Sequence, residues 1–500
     1  MTKQVKSKKR VADHGEVFTA AREVNAMLDM VKQETERIDS KFLEPACGNG
    51  NFLAEILCRK MNAVKKKYGQ SICEYAQNAV VVLTSIYGID LLEDNAKECR
   101  ERLFKIWDKE YTAFCENAAD DEYRKMAEYI LEKNILCGDT LTLLRDDGTP
   151  MIFSEWAYVA GKITENTRYI SDIKFDVIVG NPPYHLSDGG NGASAKPMYH
   201  LFVEQAKKLN PRFLTMIIPA RWYAGGKGLD RFRNSMLNDR QITQLHDFVD
   251  ASDCFTGVEI KGGVCYFLWE NGKKGNCEVF THKGDEIVSV MSRPLSEPGN
   301  NTFIRYNEAI QILRKVRSKG EATFDTVVSA RKPFGFASNF RDYVKQQDSS
   351  HTIRIYAQKD RGFVAKEQIQ KNVEWIDKWK VYIPEAIGAG KMKSDVVKPI
   401  VGKPGTVCSE TYVLVGPLDS EKTAVNIESY VKTRFFHFML GLKKITQHTT
   451  SKTYAFVPVQ DFSKSWTDRE LFEKYELSDE EIAFIEASVW PGRNTESVIE

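Results

Sequence analysis

The segment FDVIVGNPPYHLSDGG, residues 175–190, places residue types that can do chemistry on a stiff backbone. The apolar run 177–179 is typical of a buried strand, and glycine and proline end it. Asn181 precedes a proline and so favours extended geometry, while the two prolines fix φ and lack backbone donors. This corner would present an amide side chain, bare carbonyl oxygens and the ring of Tyr184 at the carboxyl end of a strand. In open α/β sheets, ligands bind at that edge.

Polar residues follow three other predicted strands. The stretch FLEPACGNGNFLAEIL (42–57) predicts a strand end, a glycine turn and a helix, and further strands end at Asp90 and near Asp139. A glycine turn followed by an acid on the next strand is typical of nucleotide binding. The turn is not GxGxxG, however, and Glu44, Asp90 and Asp139 would be poor neighbours for phosphate. An adenosine ligand that lacks phosphate and carries positive charge, such as S-adenosylmethionine, fits better.

The elements that position these residues alternate between strand and helix. Between residues 36 and 275 this alternation predicts an α/β fold with a Rossmann-like, doubly wound parallel sheet, whose final strands lie near 242–269. Upstream, Thr19 can cap a helix whose apolar residues recur at helical spacing. Residues 1–12 are expected to form a disordered basic arm.

The pattern changes after the turn-rich NGKKGNC (271–277), which marks a domain boundary. Beyond it we expect a mixed α+β domain over 276–460. An acidic helical segment follows over 461–500, with Ser478 as the cap of its helix.

The net charge of +1 hides a segregation of charge. Residues 301–460 carry 26 Lys and Arg against 15 Asp and Glu, a surplus of +11, so the rest of the chain carries −10. A basic module beside an acidic or neutral one indicates a polyanionic partner, typically nucleic acid.

Other features narrow the class of protein. No stretch approaches 18 apolar residues and the basic N-terminus lacks the apolar core of a signal peptide, so we expect a cytoplasmic protein without a membrane span. The ten cysteines form no CxxC pair. They are expected to be small buried hydrophobes rather than disulfides or zinc ligands, and no metal is expected.

Four motifs, EPACGNGNF, YGID, CGDTL and GNPPY, stand in the order and spacing of DNA adenine-N6 methyltransferases, with GEVFT upstream. The chain thereby resembles the Eco57I-type methylases of restriction-modification systems over about residues 15–270, and more loosely beyond. In this group the target-recognition domain follows the catalytic domain. The resemblance implies a site-specific adenine methyltransferase with a catalytic domain at 13–275 and a DNA-binding target-recognition domain at 276–460. S-adenosylmethionine would be the cofactor and double-stranded DNA the partner.

The resemblance also implies roles for individual residues. Ala20 stands where the family often has proline after the threonine of GEVFT. The implied cofactor contacts are Thr19 over the methionine end, Glu44, Ala46 and Gly48 along the methionine moiety, Asp90 on the ribose hydroxyls and Asp139 on the adenine amine. The implied catalytic residues are Asn181, Pro182, Pro183, Tyr184 and Phe255.

The implied chemistry explains the stiff corner. The Asn181 side-chain oxygen and the Pro182 carbonyl would accept the amine hydrogens of a flipped-out adenine and aim its nitrogen at the methyl group. Tyr184 and Phe255 would stack on the base, although Phe255 is also compatible with an ordinary core position. The glycine-rich loop 185–199 is expected to order when DNA binds.

In the basic half, aromatic side chains alternate with cations. The aromatic residues are interpreted as core rather than as base-stacking groups; they are Phe334, Phe336, Phe340 and Tyr343. The cations would hold phosphates; they are Arg331, Lys332, Arg341, Lys345, Lys443, Lys444 and Lys452.

Two other functions stay open. One is methylation of RNA or of a protein glutamine; the large basic half argues against the protein substrate. The other is a non-catalytic DNA-binding subunit of a defence complex, against which the intact 181–184 corner argues. Any restriction nuclease is expected on a separate chain, and an asymmetric target suits a monomer.

Overall fold

The computed structural model describes residue 10 and residues 17–489, except 160–161, 186–195, 224, 257, 259, 261, 299, 301, 359, 388–396 and 445–448. Most of the predicted arm and most of the glycine-rich loop therefore lie outside the described residues. The chain divides into two compact units, Met1–Phe303 and Ile304–Glu500.

The first unit contains strands and helices in alternation. Its described strands are β1 (Phe42–Glu44), β2 (Ile86–Asp90), β3 (Ile135–Cys137), β4 (Ile152–Val159), β5 (Lys162–Tyr169), β6 (Val177–Gly180), β7 (Phe213–Pro219), β8 (Ile242–Phe248), β9 (Val264–Glu270), β10 (Cys277–Lys283) and β11 (Glu286–Arg293). Its described helices are α1 (Ala21–Asp29), α2 (Lys32–Thr35), α3 (Asn51–Tyr68), α4 (Ile72–Leu83), α5 (Glu93–Cys115), α6 (Asp121–Asn134), α7 (Tyr199–Lys208) and α8 (Asp230–Asn238).

Nine of these strands form one sheet in the order β11-β10-β8-β9-β7-β6-β1-β2-β3. Strands β3, β2, β1, β6 and β7 are parallel to their neighbours in that run. Strand β9 is antiparallel to both β7 and β8, and β11 is antiparallel to β10. The architecture is a mixed α/β fold, and the prediction of a wholly parallel sheet holds only for the half that carries the motifs. Strand β9 lies between β7 and β8 and runs opposite to both. Consecutive antiparallel strands such as β8 and β9 can be joined without a helical crossover.

The strands that carry the motifs are buried on both faces. Every residue of β1, β2 and β6 is buried, as expected for parallel strands covered by helices. Helices α3, α5 and α6 pack on β2, and α7 packs on β7. The ends of these strands are therefore held by a rigid core.

The structure differs from the sequence analysis in three places. The segment NGKKGNC is the turn between β9 and β10, so the sheet and the first compact unit continue past residue 275. The polar hairpin of β4 and β5 was not predicted, because its second strand is almost wholly exposed and lacks an apolar alternation. Thr19 does not cap α1, whose N-cap is Ala20 without a side-chain hydrogen bond.

The second unit mixes short strands and helices. Its described strands are β12 (Ile353–Tyr356), β13 (Arg361–Val364), β14 (Trp379–Pro384), β15 (Ile400–Gly402), β16 (Thr406–Cys408) and β17 (Tyr412–Leu418). Its described helices are α9 (Asn307–Ser318), α10 (Glu421–Val431), α11 (Arg434–Gly441), α12 (Asp468–Lys474) and α13 (Asp479–Ser488). The strands form two three-stranded sheets, β13-β12-β16 and β15-β14-β17. Ser478 caps α13 through a capping box with Glu481, as the sequence predicts.

Candidate functional site

The candidate site lies where β1, β2, β3 and β6 end. These four strands are neighbours in the sheet, and the chain passes from one side of β1 to the other between β3 and β6. Such a switch in strand order opens a crevice at the carboxyl ends of the strands. A pocket of about 1010 Å³, including its open mouth, occupies this edge.

All six residues predicted for the cofactor line this one pocket. They are Thr19, Glu44, Ala46, Gly48, Asp90 and Asp139. Two of the five predicted catalytic residues, Asn181 and Pro183, line it as well. Pro182, Tyr184 and Phe255 are not among its lining residues, although Pro182 and Tyr184 belong to the same corner.

The glycine turn between β1 and α3 brings the backbone of Gly48 to the pocket. Gly48 and Gly50 have φ of +52° and +80°, a conformation that favours glycine. A Cβ on Gly50 would lie 2.6 Å from the Cys99 sulfur. The turn ends where α3 begins, at Asn51. Close packing at these two glycines is therefore part of what shapes the pocket.

Asp90 holds this turn in place. One of its oxygens accepts the backbone N–H of Gly48 at 2.8 Å. The other accepts the backbone N–H of Leu92 at 2.9 Å and the side-chain amide of Asn95 at 3.1 Å. The structure thus gives Asp90 a positioning role, and its contact with ribose hydroxyls stays a prediction.

Asp139 follows β3, is half-buried and also lines the pocket. Its Oδ1 accepts the N–H of Leu141 at 2.9 Å, and its Oδ2 accepts the hydroxyl of Thr142 at 3.0 Å. Each oxygen can still accept a further hydrogen bond from a ligand. Its predicted contact with an adenine amine is untested.

Glu44 is a buried carboxyl group with an unsatisfied oxygen. Within the part of the chain that the structure describes, its Oε2 has no hydrogen-bond partner, and neither does the buried hydroxyl of Thr19 in the same pocket. Burial first, and then the nearby Cys99 and Asp90, raise the pKa of the Glu44 carboxyl well above its usual value. Buried polar groups are normally paired, so these two atoms indicate a polar ligand.

The catalytic corner follows β6. The Asn181 side-chain nitrogen donates to the carbonyl oxygen of Val17 at 2.9 Å. The Asn181 side-chain oxygen is buried, and none of the described residues donates a hydrogen bond to it. The amide is therefore held with its nitrogen occupied and its oxygen available to accept a hydrogen bond.

Aromatic rings pack against Tyr184, the last residue of the corner. Tyr184 is 8% exposed, and its ring meets Phe255 edge to face at 6.1 Å and Tyr199 at 6.4 Å. Phe255 is 0% exposed, so in this conformation its ring face is covered. The structure brings Phe255 to the predicted place beside Tyr184, while its role as a clamp stays a prediction.

Sequence reasoning missed the residues that tie the GEVFT segment to the site. Asn51 donates its amide to the carbonyl oxygen of Thr19 at 3.1 Å and accepts from Arg102 at 2.7 Å. Val17 acts through its backbone oxygen, which no residue type reveals. Asn51 follows the glycine turn directly, and that position was the available signal.

In the second unit three of the seven predicted phosphate-binding cations form ion pairs. Arg331 and Lys332 both pair with Glu410, and Lys345 pairs with Asp360. These three cations therefore each have a carboxylate partner within the unit, although Arg331 and Lys332 share one.

The other lysines and the aromatic residues of this half divide between surface and core. Lys444 is buried and donates to the carbonyl oxygen of Ile387 at 2.6 Å, whereas Lys452 is exposed. Phe334 and Phe336 belong to the core of the unit, with Phe340 and Tyr343 packed against it, as predicted.

The cysteines carry no disulfide. All ten are free thiols; seven are buried, whereas Cys58 and Cys137 are partly exposed and Cys73 is exposed. Among the residues that the structure describes, no three His, Cys, Asp or Glu side chains group as metal ligands. Within that same part of the chain, no helix combines the length and apolarity that crossing a membrane requires.

Comparison with known proteins identifies the class. Residues 84–255 match the model of the Eco57I restriction-modification methylase family. This region includes the ends of β2, β3 and β6 and the 181–184 corner. The predicted resemblance to the Eco57I-type methylases is thereby confirmed over these residues.

Individual relatives agree with this class. An "uncharacterized adenine-specific methylase" of Mycoplasma pneumoniae is 29% identical over 302 residues, 54% of this chain and 71% of that protein. The "type II restriction enzyme and methyltransferase RM.Eco57I" of Escherichia coli is 27% identical over 249 residues, 43% of this chain and 23% of that protein. The match thus spans about a quarter of the Escherichia coli relative's length. Among solved structures, the type IIL restriction-modification enzyme MmeI in complex with DNA aligns with a TM-score of 0.47 and 10% identity, covering 90% of this chain and 69% of that one.

Proposed function

We propose that this protein transfers a methyl group from S-adenosylmethionine to the exocyclic amine of an adenine flipped out of duplex DNA. The observation that carries the proposal is the Asn181 amide. Asn181 and Glu44 line the same pocket, and the Asn181 oxygen and one Glu44 oxygen have no hydrogen-bond partner among the described residues. The adenine-specific name of the Mycoplasma pneumoniae relative supports the choice of base.

The pocket residues suit this cofactor. Glu44 has an unsatisfied oxygen that could accept a cationic group, and the Thr19 hydroxyl is unsatisfied beside it. The positive φ of Gly48 lets the backbone approach a ligand closely. Bound there, S-adenosylmethionine would supply an electrophilic methyl group. Among the described residues that line the pocket, no lysine or arginine stands ready to hold a phosphate.

The corner supplies the acceptors that the nucleophile needs. The adenine amine is a weak nucleophile because its lone pair is delocalised into the ring. The Asn181 oxygen would accept one of its hydrogens and the Pro182 carbonyl the other, which localises the lone pair on nitrogen. The nitrogen would then form a bond to the methyl carbon as the bond between that carbon and sulfur breaks, with S-adenosylhomocysteine as the leaving group. The product would lose its extra proton to water, so the uncharged amine is restored. Fixed acceptors need no reorganisation during the reaction.

The base must leave the helix to reach these acceptors. Tyr184 follows the acceptors directly, and a stacked base on its ring would gain roughly 1–3 kcal/mol. Its hydroxyl lacks a hydrogen-bond partner, so DNA contact would also satisfy a buried polar atom. The second unit would act as the target-recognition domain, and any restriction nuclease would be a separate chain beside a monomeric methylase.

The test is modification-sensitive sequencing of DNA from a host without its own methylation that expresses this chain. The wild type is expected to leave N6-methyladenine at one recurrent motif. Asn181→Ala should abolish the mark. Asn238→Ala is the matched control, because this exposed asparagine only bonds the Asn234 carbonyl within α8. It should methylate like the wild type.

Each outcome decides between functions. Absence of the mark from DNA, with methyl transfer to RNA or protein instead, would replace the proposed substrate. A mark that persists in Asn181→Ala would overturn the assignment of the acceptor. DNA binding without any methyl transfer by the wild type would favour a non-catalytic subunit.

A further inference from the structure

The hairpin of β12 and β13 carries two unneutralised arginines. Tyr356 and Arg361 are cross-strand partners, and Arg354 lies two residues before Tyr356, so all three share one face. The guanidinium carbons of Arg354 and Arg361 lie 5.9 Å and 5.3 Å from the centre of the Tyr356 ring. The two cations therefore meet on one aromatic platform.

The opposite face of this hairpin is anchored in the core of the unit. Ile353 and Ile355 are 6% and 0% exposed and pack within the cluster that contains Phe334. The arginine side chains themselves are exposed. A cation–π contact restricts a guanidinium, so less entropy is lost when it binds a ligand. The hairpin thus presents its charges on a rigid support.

These arginines differ from the other cations nearby. Arg331 and Lys332 share the carboxylate of Glu410, and Lys345 pairs with Asp360. Within the described residues, neither Arg354 nor Arg361 has a carboxylate within ion-pair distance.

A third arginine stands beside the hairpin turn. Arg341 is exposed and bonds the carbonyl oxygens of Ser338 and Phe340 and the side chain of Gln358, next to the turn, but no carboxylate within the described residues. Exposed guanidinium groups left without carboxylates are suited to phosphate oxygens.

We infer that the Arg354–Tyr356–Arg361 face contacts the phosphate backbone of duplex DNA. This inference rests on the proposed function, which selects DNA as the polyanion. Arg354, Arg361 and Arg341 are exposed, whereas Tyr356 is buried in the core of the unit. These separate surface charges suit an extended polyanion better than a small anion. The surplus of +11 over residues 301–460 has the same sign.

The test is the salt dependence of duplex binding by the full chain, followed by fluorescence anisotropy. One duplex contains the methylation motif found by sequencing and a second lacks it. For the variant with both Arg354→Gln and Arg361→Gln, the slope of log affinity against log salt should become shallower by about 0.9 for each phosphate that the protein no longer neutralises. Affinity should fall on both duplexes alike.

Arg469→Gln is the matched control, because Arg469 is equally exposed in the same unit but pairs with Glu473. Its slope should equal that of the wild type. Melting temperature and affinity for S-adenosylhomocysteine should stay unchanged in every variant, which excludes unfolding as the cause of weaker binding.

The outcomes separate this inference from the proposed function. If the double variant binds and methylates like the wild type, the phosphate contact is wrong and the proposed function stands. Weaker binding confined to the motif duplex would also overturn it, because that pattern indicates base reading. If the wild type binds neither duplex, the proposed function fails and this inference fails with it.

Discussion

The orientation of one amide group is decisive at the residue scale. Asn181 can accept from a substrate amine only if its nitrogen points elsewhere, and the Val17 carbonyl holds that nitrogen at 2.9 Å. Val17 and Thr19 both line the pocket. A ligand that orders this segment would therefore also fix the acceptor, which couples cofactor binding to recognition of the base.

An isosteric change at Asn181 tests this orientation. In Asn181→Asp the carboxylate keeps an acceptor but faces the Val17 carbonyl oxygen without a donor. Methyl transfer at alkaline pH should fall about tenfold, the value of roughly one hydrogen bond. Lowering the pH should restore part of the rate relative to the wild type, because a protonated carboxyl group can donate to Val17 and accept with its other oxygen. Single-turnover rates across pH measure this.

Asn181→Ala provides the control for that profile. It has neither donor nor acceptor, so its rate should stay low at every pH. A pH profile of Asn181→Asp that parallels the wild type would contradict the role of the Val17 carbonyl.

The pKa of Glu44 makes a second prediction at this scale. Burial raises the pKa of this carboxyl, so the empty pocket holds its proton up to a higher pH than usual. A cationic ligand favours the carboxylate, and binding then releases a proton. Affinity for S-adenosylmethionine should therefore rise with pH, by at most about tenfold per unit, and level off above the raised pKa.

Calorimetry in buffers of different ionisation enthalpy counts this proton. Glu44→Gln should release none, and its affinity should be flat with pH and roughly 10- to 100-fold weaker than the wild type at alkaline pH. Affinity of the wild type that does not vary with pH would show that Glu44 does not face the cationic part of the ligand.

At the scale of elements, the sequence predicts where the buried strands end and which residues meet at those ends. Apolar runs that end in a polar residue located the ends of β1, β2 and β6, and a parallel sheet then brings those ends together. All six predicted cofactor residues consequently reach one pocket. The part that could be predicted is the part dictated by periodicity and strand direction.

Contacts that depend on distant partners could not be predicted. Glu410 neutralises Arg331 across a long stretch of sequence, and Lys444 is buried against a carbonyl oxygen. Residue type alone does not distinguish such lysines and arginines from surface cations. The same limit hid Val17, because every residue carries a carbonyl oxygen and only the fold selects one.

The turn between β1 and α3 makes a prediction for an element. Gly50 has φ +80°, and a Cβ there would lie 2.6 Å from the Cys99 sulfur on α5. Gly50→Ala should lower the free energy of unfolding by about 1–2 kcal/mol for the left-handed conformation, plus about 1–3 kcal/mol for the clash. Differential scanning calorimetry measures this loss. The relevant unfolding transition is the one whose temperature rises when S-adenosylhomocysteine is added.

A double-mutant cycle separates the two costs. Adding Cys99→Ala removes the clashing sulfur, so the double variant should be more stable than the sum of the two single effects by about 1 kcal/mol or more. Strictly additive effects would mean that the backbone conformation alone accounts for the loss.

At the scale of the whole molecule, the proposed cofactor pocket and the proposed DNA-contacting hairpin lie in different compact units. The residues that line the pocket, from Val17 to Phe202, all belong to the first unit. The unneutralised arginines of β12 and β13 belong to the second. Each unit has its own buried core, so each is expected to unfold and refold cooperatively.

This division predicts where a cofactor analogue stabilises the full chain. At one hundred times its dissociation constant, S-adenosylhomocysteine should stabilise the unit that binds it by about 2.7 kcal/mol. In hydrogen–deuterium exchange, amides of the first unit that exchange through its unfolding should slow by about 100-fold, and amides of the second unit should not change. Glu44→Gln at the same analogue concentration is the control and should protect the first unit less. Equal protection of both units would contradict the prediction, because it would mean that they unfold as one body and that cofactor binding stabilises the DNA-contacting hairpin directly.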